Sequence, residues 1–138
     1  HHTLEGEEQG FGYRKSAFTG TSRVIVAGTF ALTPGAPEEI RQRMQELMAR
    51  RKASQPLDLP SAGSTFKRPV GGYAAALIEQ AGLKGTQIGG AAVSAKHAGF
   101  VVNLGGATES DVLALIAHVQ KRVLETSGIS LEPEVVRL

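Results

Sequence analysis

The sequence contains no cysteine, no tryptophan and only two tyrosines in 138 residues. The absence of cysteine excludes disulfides and thiolate metal sites. Few aromatic side chains leave little material for the stacking platforms of single-stranded nucleic-acid binders. No apolar run approaches the ~18 residues that a membrane span requires, and no signal peptide is recognisable. We therefore expect a soluble protein of a reducing compartment, with neither a nucleic acid nor a membrane as its partner.

The charges of the chain are nearly balanced. Lysine and arginine number 15 and aspartate and glutamate 13, so the formal net charge is only +2. This excess is small for a dedicated nucleic-acid binder and fits an anionic small molecule at least as well. A basic nucleic-acid-binding domain stays an alternative, and it predicts an affinity that falls steeply with salt. Its candidate contacts are Arg41, Arg43, Arg50, Arg51 and Lys52.

The first part of the chain predicts a strand followed by a helix. Residues 23–32 alternate with period two and are rich in β-branched side chains, which indicates a strand covered on at least one face. Pro37 suits the first turn of a helix. An apolar stripe at helical spacing follows, namely Ile40, Met44, Leu47 and Met48. The basic run 50–52 is either a phosphate site or the solvated end of that helix, where the dipole favours cations.

The remainder predicts short strands and two further helices. After an extended loop over residues 53–69, helices are predicted over 73–81 and 108–126, and strands over 88–93, 100–103 and 131–136. Thr108 and Asp111 have the spacing of a helix-capping pair. The order of elements predicts an α+β fold, with a small mixed sheet and packed helices.

Familiar catalytic motifs for nucleotide, metal or hydrolase chemistry are absent, but three stretches are unusual. Residues 11–16 place Arg14 among aromatic and small side chains, suited to bidentate capture of a carboxylate or phosphate, or simply a solvated strand end. Residues 61–69 join small residues to Ser64, Lys67 and Arg68, which is typical of a site or of an ordinary loop. Glu134 begins an apolar strand, either as rim decoration or as an acid with a raised pKa. His97 has no nearby metal partner, and His118 is expected to be a packing or surface residue of its helix, so no metal site is expected.

Taken together and in this order, these stretches resemble the C-terminal half of the flavin-dependent UDP-N-acetylenolpyruvoylglucosamine reductase family. The matching segments are FGYRKSAF at 11–18, PSAGSTFKRP at 60–69, AALIEQAGLKGTQIGGAAVSAKHAGFVVN at 75–103, ATESDV at 107–112 and LEPEVVRL at 131–138. The resemblance covers nearly the whole chain and is closest to the shorter subtype of the family.

The resemblance implies a domain division and an activity. Residues 1–33 are expected to be the end of an FAD-binding domain, and residues 34–138 a substrate-binding domain. The full enzyme would use NADPH, through FAD, to reduce UDP-N-acetylglucosamine enolpyruvate to UDP-N-acetylmuramate in bacterial, cytoplasmic peptidoglycan synthesis. Without the N-terminal FAD domain, this chain alone is expected to bind neither cofactor and to be inactive. A non-catalytic UDP-sugar-binding module is the alternative.

The resemblance also implies roles for individual residues. Arg14 would bind the substrate carboxylate and stabilise an enolate, Ser64 would protonate that enolate, and Glu134 would act beside Arg14. Arg68 stands where the family commonly has asparagine, so its contact with the diphosphate would be altered or strengthened. The family's long tyrosine-bearing loop is absent, which leaves open which residue covers the nucleotide. The substrate-binding positions would be Tyr13, Ser16, Lys67, Arg68 and Gln87.

Overall fold

The computed structural model describes residues 2–12 and 15–136. It divides into two compact units, His1–Gly35 and Ala36–Leu138, which we describe separately. The functions that the sequence assigns to residues 1–33 and 34–138 stay predictions.

The first unit contains one short element of regular structure, a 3-10 helix over Gly6–Gln9. Glu5 and Glu8 cap its start reciprocally, and Gly10 ends it in the left-handed conformation. Gly12 and Lys15 exchange two backbone hydrogen bonds of 3.0 and 3.2 Å. From residue 22 to residue 36 the chain has no regular structure.

The strand predicted over residues 23–32 does not form, and this prediction was wrong. The side chains of Val24 and Phe30 are each 83% exposed, and Val26 is 78% exposed. Period-two alternation indicates that a segment is able to pair, but a strand also needs a neighbour for its backbone N–H and C=O groups. Within the described part of the chain, no backbone hydrogen bond joins residues 24–32 to another segment.

The second unit is an α+β fold, as predicted. Its four strands form one sheet in the order β1-β4-β3-β2, and each described pair is antiparallel, where a mixed sheet was expected. The elements are α1 Pro37–Ser54, β1 Ser61–Ser64, α2 Ala74–Gln80, β2 Gln87–Ile88, β3 Ala91–Val93, β4 Phe100–Asn103 and α3 Glu109–Ser127.

Helix α3 supplies one face of the core. Thr108 accepts the Asp111 N–H while the Asp111 side chain accepts the Thr108 N–H, which confirms the predicted capping pair. The helix ends at Gly128, whose φ of +70° favours glycine. Four residues of the helix are buried at helical spacing against β2, β3 and α2, namely Leu115, Ile116, Val119 and Val123.

Helix α1 begins at Pro37 as predicted, but none of its side chains is buried. The stripe of Ile40, Met44, Leu47 and Met48 is therefore exposed, with Met44 at 66%. A pair of charged residues in the first turn, Glu38 and Arg41, adds little because both side chains are solvated.

Three strand predictions need revision. The strand expected over 88–93 is a hairpin, because β2 and β3 flank Gly89 and Gly90, and Gly89 has a φ of +54°. The loop expected over 53–69 contains β1. The strand expected over 131–136 is reduced to one bridge, between Pro133 and Phe66.

None of the helices in the described ranges has the length and apolarity needed to cross a membrane.

Candidate functional site

Strand β1 carries a bulge that ends at Ser64. Ser61 lies opposite Val102 and Ser64 lies opposite Phe100, so three steps along β1 match two steps along β4. Gly63, within the bulge, has a φ of +87°, a conformation that glycine adopts without strain. Bulges of this kind redirect a side chain beside the regular ladder. Here Ser64 is exposed although its neighbours Thr65 and Phe66 are buried.

The bulge is held in place by the hydroxyl of Thr65. Thr65 is only 3% exposed, and its Oγ1 accepts the Val101 N–H at 3.0 Å. The Thr65 N–H donates to the Gly99 carbonyl at 2.8 Å. A side-chain acceptor thus binds a β4 N–H beside the bulge. Because Thr65 directly follows Ser64, these two bonds fix the backbone that presents the serine.

Glu134 is brought next to this strand end from the far end of the sequence. The Glu134 N–H donates to the Thr65 carbonyl at 2.8 Å, and the Lys67 N–H donates to the Glu132 carbonyl at 2.8 Å. Residues 65–67 and 132–134 therefore form a short antiparallel pair. The Glu134 side chain is exposed, as is that of Ser64. The structure brings together the backbones of two of the three predicted catalytic positions.

Lys67 and Arg68 follow on the same segment, each with a partner of its own. The Lys67 ammonium pairs with the Glu132 carboxylate, with side chains 43% and 70% exposed. This pair partly offsets the positive charge of Lys67, which the resemblance places among the substrate-binding residues. The Arg68 guanidinium lies 4.1 Å from the centre of the Tyr73 ring, in a cation–π arrangement.

Gln87 lies at the opposite edge of the sheet from Ser64. It belongs to β2, and two strands separate β2 from β1, which corresponds to roughly 14 Å at the usual strand spacing. Its amide Nε2 donates to the Gly89 carbonyl at 2.7 Å. The structure therefore does not bring Gln87 to Ser64, and its proposed substrate contact stays a prediction.

The motif over residues 11–16 is described only in part. Tyr13 and Arg14 lie outside the described residues. Ser16 is half-buried, and its Oγ accepts the Phe18 N–H at 3.2 Å while its own N–H donates to Thr19 at 2.9 Å. These bonds shape a local turn within the first unit. The roles of Tyr13, Arg14 and Ser16 stay predictions.

Ser64 opens onto a cleft of ≈ 490 Å³. Sequence reasoning missed the residues that share it, although the basic run at 50–52 was one signal. Arg51 and Gln55 reach it from the end of α1, and its lining combines polar and apolar residues. The described lining consists of Arg51, Gln55, Pro56, Leu57, Leu59, Pro60, Ser61, Gly63, Ser64 and Phe100.

His97 has a structural place beside this cleft. Its Nδ1 accepts the Gly99 N–H at 3.1 Å, and its ring meets Phe100 edge-on with centroids 4.9 Å apart. The histidine thereby stabilises the turn between β3 and β4. Among the residues that the structure describes, no cluster of three or more metal-ligating side chains is found.

A glycine-rich turn before α3 has the outline of a phosphate loop but the wrong charge. Residues 104–108 lead into the helix start, where free N–H groups often bind phosphate. Here the Asp111 carboxylate already accepts the Thr108 N–H at 2.9 Å and the Gly90 N–H at 3.3 Å. Hydrogen bonds from Thr108, and then from Gly90, lower the pKa of Asp111. The start of α3 is therefore already occupied by the Asp111 carboxylate, whose negative charge would repel the phosphates of a dinucleotide.

Comparison with known proteins points to one family. The family model for the UDP-N-acetylenolpyruvoylglucosamine reductase C-terminal domain matches residues 55–138. UDP-N-acetylenolpyruvoylglucosamine reductase of Levilactobacillus brevis is 53% identical over 133 residues, which is 96% of this chain and 44% of that protein. The reductase of Limosilactobacillus reuteri is 54% identical over 132 residues, again 96% and 44%. The chain thus spans less than half the length of these relatives.

A solved structure shares the fold. The crystal structure of UDP-N-acetylenolpyruvylglucosamine reductase (MurB) from Thermus caldophilus matches with a TM-score of 0.67 and 40% identity. The match covers 95% of this chain and 47% of that one.

Proposed function

Because this chain belongs to the UDP-N-acetylenolpyruvoylglucosamine reductase family through its C-terminal domain, we propose that it supplies the substrate-binding and proton-donating part of such a reductase. The full enzyme reduces the enolpyruvyl group of UDP-N-acetylglucosamine enolpyruvate and yields UDP-N-acetylmuramate, a step of peptidoglycan synthesis in the bacterial cytoplasm. The whole activity needs the part of the relatives that this chain does not span.

One observation carries the proposal. Residues 65–67 pair with residues 132–134, although 65 positions separate Lys67 from its partner Glu132 in the sequence. This pairing supports a shared role for the two segments, because it places Glu134 opposite Thr65, the residue that follows Ser64. Ser64 and Glu134 are both exposed residues.

The reaction adds a hydride to the terminal carbon of the enolpyruvyl double bond and a proton to the carbon beside the carboxylate. FAD, reduced by NADPH, would supply the hydride when bound. Ser64 Oγ would give its proton to the enolate that hydride addition leaves, and Glu134 would act beside Arg14 in stabilising or protonating that intermediate. Solvent can restore the proton, because Ser64 is exposed. Arg14, by the family resemblance, would bind the carboxylate.

This chain is not expected to hold FAD or NADPH by itself. The glycine-rich turn before α3 contains the Asp111 carboxylate, and residues 22–36 have no regular structure. We therefore expect the flavin to be bound mainly by the part of the reductase that precedes this segment in the relatives. A spectrum of the purified chain with stoichiometric flavin absorbance contradicts this part of the proposal.

The test uses Ser64→Ala in a full-length reductase that carries this segment. Loss of a positioned general acid typically slows a proton-transfer step by roughly 10²- to 10⁴-fold. We expect kcat to fall by that factor with substrate affinity nearly unchanged, while NADPH still reduces the flavin at the wild-type rate. Rapid-mixing absorbance of the flavin separates the two half-reactions.

Ser61→Ala is the matched control, because Ser61 is an exposed serine of the same strand and lines the same cleft. Its Oγ accepts only a long bond of 3.4 Å from the Gly63 N–H. We expect Ser61→Ala to retain activity within a few-fold. If Ser64→Ala retains full turnover, Ser64 is not the proton donor, and a purely binding role of this segment is favoured.

A further inference from the structure

The end of helix α1 is fastened against the turn that precedes β4. The Lys96 ammonium donates to the Lys52 carbonyl at 2.5 Å, and the Gln55 N–H donates to the Arg51 carbonyl at 2.9 Å. The Ser54 hydroxyl donates to the Arg50 carbonyl at 3.0 Å. These bonds satisfy carbonyls that a helix end otherwise leaves open. The last turn of α1, with its basic side chains, thus has a defined place beside the cleft.

One of those basic side chains is oriented by a neighbour. The Arg51 Nε donates to Gln55 Oε1 at 3.0 Å. Within residues 2–12 and 15–136, no ion pair of Arg51 is seen, and its two terminal nitrogens make no hydrogen bond. A guanidinium anchored at Nε keeps a forked pair of donors for a carboxylate or phosphate. Anchoring also reduces the entropy that binding would cost.

The cleft beside this fork suits a ligand with an anionic group. Arg51 is the one charged side chain among its described lining residues, and Ser64 adds an exposed hydroxyl. Asp58 lies in the same loop but not in that lining. Leu57, Leu59 and Phe100 provide apolar surface, which favours a planar or sugar-like body.

We propose that Arg51, oriented by Gln55, is the residue that binds an oxyanion group of the ligand held in the Ser64 cleft. This resolves the basic run at residues 50–52 in favour of anion binding, with Arg51 rather than Arg50 as the contact. The proposal rests on the proposed function only for the identity of the ligand. The group is a phosphate or a carboxylate, contributed either by the UDP-sugar or by the flavin dinucleotide.

The first experiment needs no assumption about the ligand. The Nε–H signal of Arg51 should be visible by NMR, because its hydrogen bond to Gln55 slows exchange with water. We titrate the 138-residue chain with inorganic pyrophosphate at low salt and follow the arginine Nε–H signals. We expect saturable shifts of the Arg51 signal, weakened by added salt. Pyrophosphate that leaves this signal in place, or shifts Arg50 equally, overturns the proposal.

Arg50→Gln is the matched control for Arg51→Gln. Both variants remove one positive charge from the same helical turn, but Arg50 is outside the described lining of the cleft. We expect Arg51→Gln to weaken pyrophosphate binding by roughly tenfold or more, because it removes a forked pair of charge-assisted hydrogen bonds. Arg50→Gln should change the affinity by less than about threefold. Arg51→Lys keeps the charge without the fork, so we expect an intermediate loss. Equal effects of Arg50→Gln and Arg51→Gln contradict the assignment.

The second experiment identifies the source of the oxyanion. UDP-N-acetylglucosamine, its enolpyruvyl derivative and FAD are titrated into the full-length reductase and its Arg51→Gln variant. If the variant binds both sugar nucleotides more weakly than the wild type, Arg51 contacts a phosphate of the substrate. If only the enolpyruvyl derivative binds more weakly, Arg51 contacts its carboxylate. If only FAD binds more weakly, Arg51 contacts a phosphate of the flavin dinucleotide. If the wild type binds none of the three, the proposed function fails, whereas the pyrophosphate result still decides the role of Arg51.

Discussion

Replacing Thr65 by valine removes the hydroxyl that holds the bulge beside Ser64 while nearly preserving the shape of the side chain. Thr65 is 3% exposed, and its Oγ1 accepts the Val101 N–H at 3.0 Å. Valine cannot accept this bond. The variant thus removes the Thr65 acceptor of the Val101 N–H at a partly buried site.

The expected cost follows from two opposing effects. A buried N–H without an acceptor costs ~1–3 kcal/mol. The added methyl group offsets up to about 0.8 kcal/mol through apolar burial. We therefore expect Thr65→Val to lower the free energy of unfolding by roughly 1–2 kcal/mol, or the melting temperature by about 5–15 °C for a domain of this size.

Urea unfolding measures the stability change, and amide hydrogen exchange locates it. In Thr65→Val the Val101 amide should exchange faster than the other amides of β4, and the signals of residues 61–64 should shift. Thr65→Ser is the matched control, because it keeps the acceptor but loses a methyl group worth about 0.8 kcal/mol. Its Val101 amide should stay protected. Unchanged protection of Val101 in Thr65→Val refutes the reasoning.

Three further predictions concern the frame that carries the site. Leu115 is 0% exposed, so Leu115→Ala should lower the free energy of unfolding by roughly 2–5 kcal/mol in urea titrations. Leu124 lies on the same helix at 50% exposure, and Leu124→Ala should cost under about 1 kcal/mol. Equal losses in the two variants contradict the assigned core. Gly90→Ala places a Cβ 2.4 Å from the Ala107 nitrogen and should cost ~1–3 kcal/mol in melting experiments. Gly72→Ala, with nothing within 4 Å, should be nearly neutral, and a neutral Gly90→Ala contradicts that close approach. The pKa of Asp111 in the folded state is lowered from its ordinary value of 3.8. The ionised Asp111 should therefore stabilise the fold fully above pH 3.8, and this stabilisation should be lost as the pH falls through the lower folded-state pKa. If Asp111→Asn leaves the dependence of stability on pH unchanged, this prediction is wrong.

Much of the second unit could be predicted from local pattern. Pro37 with two following glutamates marked the start of α1, and Thr108 with Asp111 marked the start of α3. In each case the signal and the structure lie within one helical turn. The helix predicted over residues 108–126 is α3, because helical periodicity indicates a face that some partner covers.

The site itself depends on pairings that local pattern does not contain. The bulge at Ser64 arises from the register between β1 and β4, and the pairing of residues 65–67 with 132–134 joins distant segments. Ser64 and Glu134 were therefore located by family resemblance rather than by periodicity. The alternation over residues 23–32 shows the converse, since a strand pattern without a paired neighbour gives no strand.

The most direct test of the account is a map of where the substrate binds on this chain. UDP-N-acetylglucosamine enolpyruvate is titrated into the isotope-labelled 138-residue protein, and the backbone amide signals are followed by NMR. The account predicts saturable shifts concentrated in residues 61–68 and 132–135, together with Arg51, and little change along the exposed stripe of α1. Saturable binding that shifts other surfaces and leaves both segments unchanged would contradict it.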